Sequence, residues 1–262
     1  MRNFTALLVA GVFVLAGSAH AENYVLYDSF GTALNPTKYT ALERTRVISN
    51  GTLLVAQRDL GNQVNDTGHS FLTWGTNVRG GGQNITQMQV TMKTTLAHVT
   101  DCPANPSASF VQQRMLGSFF SAGGGQPGSH VNDVLAIARL GRFAADPQGQ
   151  LRLEALIVQC TSSDCNQSTA LFVQQIGTVN IGALATVRMD WDKANKRFIF
   201  RHAGATHLAP YQVSDAQPPS MPFKQLGTRT SLESCFSGER TEGHIRGVFE
   251  NFLVNASAAP AQ

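Results

Sequence analysis

Residues 187–201 read VRMDWDKANKRFIFR and contain two short runs in which apolar and charged side chains alternate. In the first run Val187, Met189 and Trp191 fall on one face of an extended strand, whereas Arg188 and Asp190 fall on the other, because successive side chains of a strand point in opposite directions. The mostly polar residues between the runs have a length that suits a hairpin loop. This stretch therefore predicts an antiparallel hairpin with one buried face and one hydrated face.

Similar short runs occupy the chain from Tyr24 to Val254, and clusters of Gly, Asn, Asp, Ser and Pro separate them. No long segment has the period of a helix, and 35–39 is the one plausible helical turn. Asn50-Gly51 is a strong two-residue turn signal. These features predict an all-β fold, a two-sheet antiparallel jelly-roll sandwich. The predicted strands are 24–28, 44–49, 52–58, 86–98, 107–120, 133–142, 150–159, 170–179, 185–191, 197–202, 230–236 and 244–254.

Composition excludes several classes of protein. Of the 262 residues 42% are hydrophobic and only 14% are charged, against about 25% charged in ordinary soluble domains. A disordered chain, a coiled coil and a highly charged nucleic-acid-binding tail are therefore excluded. The formal net charge of +3 is too small to indicate a nucleic-acid partner or an anionic membrane.

The first 21 residues have the pattern of a secretory signal peptide. Arg2 precedes an unbroken apolar run over 6–16, and Ala19-His20-Ala21 is a small-x-small cleavage site before Glu22. The run is about 11 residues long, short of the ~20 that a membrane-spanning helix needs, and no later segment is long and apolar enough. We expect a secreted or periplasmic protein without a transmembrane segment. Its parts would be the signal peptide 1–21, one jelly-roll domain 22–254 and a disordered tail 255–262.

Export would place the four cysteines in an oxidising compartment, where disulfides persist. Four cysteines allow three pairings. We favour Cys160–Cys165, because the residues between them read as a tight polar turn, and this leaves Cys102 to pair with Cys235. A zinc site is the alternative, but a C-x4-C spacing without a second close Cys/His pair suits zinc poorly.

Three ordered segments resemble the concanavalin A-like lectin/glucanase superfamily. Residues 27–31 (YDSFG) and 34–39 (LNPTKY) resemble its opening D-x-F-x-G and L-D-P-x-K-W motifs. Residues 187–192 (VRMDWD) with 198–200 (FIF) resemble a late strand pair, and 246–254 (RGVFENFLV) resembles the closing strand. The resemblance reaches both ends of the mature chain and implies a jelly roll with a curved sheet that binds a ligand.

The residues that catalyse hydrolysis in this superfamily do not recur here. Its glucanases carry E-x-D-x-x-E on one strand, whereas Glu154 is followed at those positions by Leu156 and Gln159. Asp190 and Asp192 have the spacing of a strand pair, but their place at a hairpin favours a solvated turn. The alginate-lyase patterns R-x-E-L-R, Q-[IV]-H and Y-x-K-x-G-x-Y are also missing from the sequence.

Some members of the superfamily hold a structural calcium ion, and the resemblance implies where it would lie. Glu250 on the closing strand would supply the carboxylate and Gly51 a backbone carbonyl. Calcium takes about six to eight oxygen ligands, so further carbonyls and waters would be needed. A hydrogen-bonded acid at a sheet edge is the alternative interpretation of Glu250.

The candidate ligand-binding residues follow from the expected place of the curved sheet in the middle of the chain. Polar side chains of its strands give Arg114, Arg139, Arg152 and Glu154, and Trp74 beside a Gly-rich loop is the best flat aromatic surface for a sugar. The alternatives are a solvated face with cross-strand ion pairs and, for Trp74, core packing.

Three functional classes fit these observations. The first is a secreted, non-catalytic domain that binds carbohydrate or another extracellular ligand. The second is a polysaccharide hydrolase or lyase with a different site, in which Glu154, Arg139 and His130 would act. The third is a structural or assembly domain. The missing acid pair favours the first.

Overall fold

The structure is a computed structural model, and it describes residues 44–258. The predicted signal peptide 1–21, the strand 24–28, the turn 35–39 and the opening motif of the resemblance lie outside these residues, so they stay predictions. Between residues 44 and 258 no helix is both long and apolar enough to cross a bilayer.

The described chain forms thirteen strands and three short 3-10 turns. Some strands alternate between buried and more exposed residues, as expected for a sheet with one face on a core. Three consecutive strands in the middle of the chain are instead buried on both faces. The strands are β1 (Arg44–Ser49), β2 (Thr52–Leu60), β3 (His69–Asn77), β4 (Gln87–Val99), β5 (Phe110–Ser121), β6 (Asp133–Phe143), β7 (Gln150–Cys160), β8 (Ser168–Asn180), β9 (Ala185–Asp192), β10 (Arg197–His202), β11 (Ala205–Pro210), β12 (Lys224–Glu233) and β13 (Glu242–Val254).

The strands form two antiparallel sheets. The seven-stranded sheet has the order β1-β2-β13-β4-β9-β10-β11, and the six-stranded sheet has the order β3-β12-β5-β6-β7-β8. Successive strands β4 and β5 lie in different sheets, and the last strand pairs with β2 and β4. Each sheet is therefore built from strands that are far apart in the sequence. The predicted all-β two-sheet sandwich is confirmed.

The hairpin that opened the sequence argument is present. Met189 pairs with Phe200 and Trp191 with Phe198 across β9 and β10. Phe198 and Phe200 are fully buried between the sheets, and Phe120 of the opposite sheet stacks on the Trp191 ring with centroids 5.5 Å apart. One face of the hairpin thus supplies the aromatic part of the core, as the alternation predicts.

Two of the observed strands were not predicted, and the start of a third was predicted too late in the sequence. β3 and β11 are edge strands whose residues are mostly half-buried or exposed, so they lack a clear alternation. The predicted strand 230–236 is instead β12, which begins at Lys224. Its first residues are polar even where they are buried, which is why the sequence pattern placed the strand too late.

Both favoured disulfides are confirmed. Cys102 pairs with Cys235 across 133 residues, and Cys160 pairs with Cys165 across a loop at the end of β7. The Cα atoms of the two pairs are 5.5 and 4.8 Å apart, within the usual range for a disulfide. With all four cysteines paired, the alternative of a zinc site is wrong.

The predicted disordered tail 255–262 overlaps residues that the structure describes. The Asn255 side chain accepts hydrogen bonds from the backbone N–H groups of Thr86 and Gln87 and donates to the carbonyl of Asn84. Residues Ala256–Ala258 then form a 3-10 turn. Asn255 therefore connects the end of β13 to the start of β4, and residues 255–258 of the predicted tail belong to the described part of the chain.

Candidate functional site

A groove of about 940 Å³ lies on the outer face of the six-stranded sheet. Side chains of β3, β12, β5, β6 and β7 form its floor. Its walls come from His130, from the disulfide loop 161–168 and from residues 221–223. The side chains of the floor alternate with those that face the core, so the groove and the core share the same strands.

One half of the groove floor is aliphatic. Leu116, Ile137 and Leu156 lie opposite one another on β5, β6 and β7. Leu135 and Val158 extend this patch, and every one of the five is less than 9% exposed. Phe223 and Cys165 of the disulfide loop pack against this patch. This half of the groove is an apolar surface rather than a hydrogen-bonding one.

The other half of the floor carries arginine. Arg114 of β5 lies directly opposite Arg139 of β6, which in turn lies opposite Glu154 of β7. Like charges at directly opposed positions of antiparallel strands repel each other. The sequence therefore builds a row of three charged residues with two cations and one anion.

Arg114 is the most enclosed of these cations, with 5% of its surface exposed. Its guanidinium donates to Thr73 Oγ1 at 3.0 Å and to Gln225 Oε1 at 3.4 Å, both neutral acceptors. Burial, and then the charges of Arg229 and Arg139, hold the pKa of Arg114 well below its usual value. Arg114 is thus a charged group in a place that does not favour the charge.

Arg139 forms an ion pair with Glu154, whose carboxylate is the one anion of this row. Its Nε donates to Glu154 Oε2 at 2.7 Å, and one terminal nitrogen donates to Gln112 Oε1 at 3.1 Å. The side chains of Arg139 and Glu154 are 14% and 9% exposed. The carboxylate of Glu154 is consequently occupied by Arg139 and lies beside the groove lining rather than in it.

Arg229 of β12 is the third cation and lies in the neighbouring row, opposite Gln112 and Thr73. Its guanidinium carbon lies 4.6 Å from the centroid of the Phe71 ring. Burial and then the charge of Arg139 lower the pKa of Arg229 to about 10, against a smaller opposing attraction from Asp164. Sequence reasoning missed this residue, because the start of β12 was not recognised as a strand.

Two of the aromatic rings that line the groove already contact guanidinium groups. Arg229 lies over Phe71, and the guanidinium carbon of Arg139 lies 5.4 Å from the centroid of Phe110. Such contacts favour a cation over the face of an aromatic ring. A ligand in this half of the groove would meet guanidinium groups before it met aromatic faces.

A buried carboxylate fastens the wall of the groove. Asp133 is fully buried and accepts hydrogen bonds from the backbone N–H groups of Ser220, at 2.6 Å, and Met221, at 3.0 Å. Its third partner is Nδ1 of His130, at 3.1 Å. Asp133 therefore joins two segments of the wall to the first residue of β6.

The structure brings only two of the predicted ligand residues into the groove, Arg114 and Arg139. Arg152 lies further along the sheet, where it pairs with Asp146 and lies over the ring of Phe143. These contacts place Arg152 outside the groove lining, so its role as a ligand-binding residue stays a prediction.

Trp74 also lies elsewhere. Its register on β3 turns the ring toward the space between the sheets, where it packs against the core. The indole N–H donates to the carbonyl of Thr45 at 3.0 Å, and the guanidinium of Arg46 lies over the ring. The neighbouring Phe71 and Thr73 occupy the groove instead, as the alternation of β3 requires.

The residues implied for calcium lie close together but supply few donors. Glu250 pairs with Thr52 across β13 and β2, one residue beyond Gly51 in the hairpin turn. Residues 44–258 contain no cluster of three or more His, Cys, Asp or Glu side chains that could hold a metal. One carboxylate and one carbonyl fall short of the six to eight oxygens that calcium takes, so the calcium ion stays a prediction and no step is built on it.

Comparisons with known proteins find similarity to solved structures alone. No protein-family model matches the chain, and no curated protein matches it. Carbohydrate-binding module CBM66 from Bacillus subtilis matches with 9% identity and a TM-score of 0.31, over 80% of this chain and 90% of its own. A laminarinase from Flavobacterium sp. UMI-01 matches with 10% identity and a TM-score of 0.39, over 78% and 80%.

The alginate lyase Aly36B matches with 13% identity and a TM-score of 0.36, over 79% of this chain and 83% of its own. Binding modules and enzymes therefore occur side by side among these structures. At these identities and TM-scores the similarity assigns neither a residue role nor an activity to this chain.

Proposed function

We propose that this protein binds carbohydrate in the groove of the six-stranded sheet and does not cleave it. The observation that carries this proposal is a large open groove whose polar half offers hydrogen-bond donors and whose two nearby buried carboxylates already have partners. Glu154 pairs with an arginine, and Asp133 is bonded to the groove wall. The role is that of a non-catalytic recognition domain of the extracellular or periplasmic space.

The groove has the properties that binding needs. Its volume of about 940 Å³ is within the usual range for ligand sites. The amide groups of Gln112 and Gln225 and the guanidinium groups of Arg114 and Arg139 line the polar half, and such groups can pair with hydroxyls. The adjoining aliphatic floor can accept the C–H surface of a sugar ring.

Catalysis of glycoside hydrolysis would need two carboxyl groups at a defined separation, about 5 to 5.5 Å for retention and about 6.5 to 9.5 Å for inversion. Glu154 lies beside the lining and is bound by Arg139. Among the described residues, Asp164 is the only carboxylate of the lining itself, and it accepts hydrogen bonds from Ser162 and Asn166 within its exposed loop. This arrangement supports binding without turnover.

The experiment combines binding and turnover on one panel of polysaccharides. The protein without residues 1–21 would be run in native gels that contain each polysaccharide, and the same mixtures would be assayed for reducing ends and for unsaturated products. We expect retardation by at least one polysaccharide and no product.

Variants locate the binding. Gln225→Ala should weaken the retardation several-fold, because Gln225 lines the groove. Gln174→Ala is the matched control, since Gln174 is exposed on β8 away from the lining. Product release that Glu154→Gln abolishes would disprove the non-catalytic assignment, and the absence of any retardation would disprove carbohydrate binding.

A further inference from the structure

The polar half of the groove holds more positive than negative charge. Arg114, Arg139 and Arg229 contribute three guanidinium groups, and Glu154 supplies the single buried carboxylate in direct contact with any of them. Asp164 attracts Arg229 from the exposed loop, but its oxygens are already hydrogen-bonded to Ser162 and Asn166. The part of the chain that the structure describes leaves this cluster short of negative charge.

In two of these guanidinium groups one nitrogen also lacks a hydrogen-bond partner. Within residues 44–258 the buried Nε atoms of Arg114 and Arg229 have none. A buried donor without an acceptor is unfavourable, and a buried charge is more unfavourable still. Arg114 combines both disadvantages, because it is 5% exposed and its two acceptors are neutral.

The register of the strands holds these charges together. Arg114 and Arg139 are directly opposed on β5 and β6, and Arg229 pairs with Gln112, two residues from Arg114. A guanidinium presents its donors in a planar fork that matches a carboxylate or a sulfate. Three guanidinium groups line one groove and have a single carboxylate in direct contact, so this part of the groove suits an anionic oxygen group.

We infer that Arg114, Arg139 and Arg229 form a binding site for the anionic group of an acidic saccharide, either the carboxylate of a uronic acid or a sulfate ester. This inference rests on the proposed function and names the class of sugar that the groove selects. Arg114 and Arg229 hold the anionic group through the guanidinium groups that line the groove. Arg139, already paired with Glu154, adds charge and aligns the row.

The neighbouring aliphatic patch sets where the rest of the sugar lies. Leu116 is two residues from Arg114 on β5, and Ile137 is two residues from Arg139 on β6, so all four side chains lie on the same face of the sheet. An anionic group held by the arginines would therefore place the adjoining ring over Leu116 and Ile137. The saccharide is recognised by its charge at one end and by shape along the other.

The test compares anionic polysaccharides with neutral ones of the same backbone. Calorimetric titration would use dextran against dextran sulfate, and polygalacturonate against its methyl ester. We expect at least one anionic member to bind ten-fold or more tightly than its neutral counterpart. The sulfate and carboxylate pairs show which anionic group the site takes.

The variants separate a defined site from general attraction. Arg229→Gln and Arg114→Met should each weaken the anionic ligand ten-fold or more, whereas Arg246→Gln, on the exposed outer face of the other sheet, should change affinity less than two-fold. Circular dichroism of each variant would show that the fold is retained, and Arg114→Lys keeps the charge if Arg114→Met does not fold.

Each outcome decides the inference. Equal affinity for neutral and charged partners, with no effect of Arg229→Gln, would overturn the anion site while leaving carbohydrate binding intact. An equal loss in Arg246→Gln would show unspecific attraction and overturn it as well. Failure of every polysaccharide to bind would instead overturn the proposed function.

Discussion

The two sheets present the same kinds of charged residue on their outer faces in very different states. On the seven-stranded sheet Asp190 is flanked by Arg188 and Arg201, whose side chains are 42% and 39% exposed. On the six-stranded sheet Arg114 is 5% exposed and has only neutral acceptors. Water stabilises the charge of an exposed arginine, so such a residue needs no countercharge. An arginine enclosed in the groove has little water around it, so an anionic partner would stabilise it. The difference distinguishes a solvated surface from a site.

The largest contrast should come from removing one carboxylate on each face. Glu154→Gln leaves Arg139 beside Arg114 without a countercharge in a poorly hydrated place, so we expect a loss of about 3 kcal/mol in the free energy of unfolding. Asp190→Asn leaves two exposed arginines and should lose about 1 kcal/mol. Urea denaturation at pH 7 measures both. Equal losses would mean that the two faces are equally hydrated.

A second buried cation in the six-stranded sheet gives a pH effect. Lys224 is 1% exposed, its Nζ donates to the carbonyl of Ser118 at 2.5 Å, and burial lowers its pKa to about 8. Lys224 therefore loses its proton at a lower pH in the folded protein than in the unfolded chain, so unfolding takes up a proton between about pH 8 and the ordinary lysine pKa of about 10.4. Stability should rise through this window, by about 2 kcal/mol between pH 8 and pH 10.

Lys224→Met removes this gain, and urea denaturation at the two pH values checks it. The control is Lys93→Met, because Lys93 is a half-buried lysine of the other sheet. If the wild type and Lys224→Met respond to pH in the same way, then Lys224 is hydrated in solution and the sheet is more open than described here.

Removing the enclosed arginine should separate stability from binding. Arg114→Met eliminates an unsatisfied donor and a repulsion with Arg139, so we expect a gain of about 1 kcal/mol in stability together with loss of the acidic ligand. Arg188→Met on the other sheet should give no such gain, since its exposed charge pairs with Asp190. Thermal unfolding of both variants decides the point, and a clear loss of stability in Arg114→Met would contradict the picture of an uncompensated charge.

The smallest effect concerns the tryptophan that the sequence favoured. Trp74→Phe should change ligand affinity less than two-fold, because the ring packs between the sheets. Phe71→Ala, three residues earlier and inside the groove, removes the ring beneath Arg229 and should weaken binding several-fold. Calorimetric titration of the two variants compares the faces of one strand, and the reverse ranking would place the ligand on the wrong side of β3.

The fold was readable wherever apolar and polar side chains alternate on strands that are buried on one face. The β9–β10 hairpin follows this pattern. Strands β5 to β7 are buried on both faces, but their apolar runs were recognised as strands, and their register places Arg114 and Arg139 in the groove lining. Position along a strand, together with the expected place of the curved sheet, was sufficient for these residues.

The rest of the site depends on strands without such a pattern. β3 is an edge strand with no regular alternation of burial, and β12 buries Lys224 where an apolar residue is expected. The side of Trp74 and the presence of Arg229 could not be assigned without them. In retrospect, the alternation of Gln225, Gly227 and Arg229 with Leu226 and Thr228 is a signal for the strand, although a weak one.

The buried carboxylate of Asp133 has a consequence for how fast a ligand is captured. Its hydrogen bonds to the backbone of Ser220 and Met221 and to His130 hold the wall of the groove in place in the folded protein, before a ligand binds. A receptor shaped in advance loses little conformational entropy when it is filled. The rate of ligand binding should then be set by diffusion and by electrostatic attraction to the guanidinium groups rather than by a conformational change.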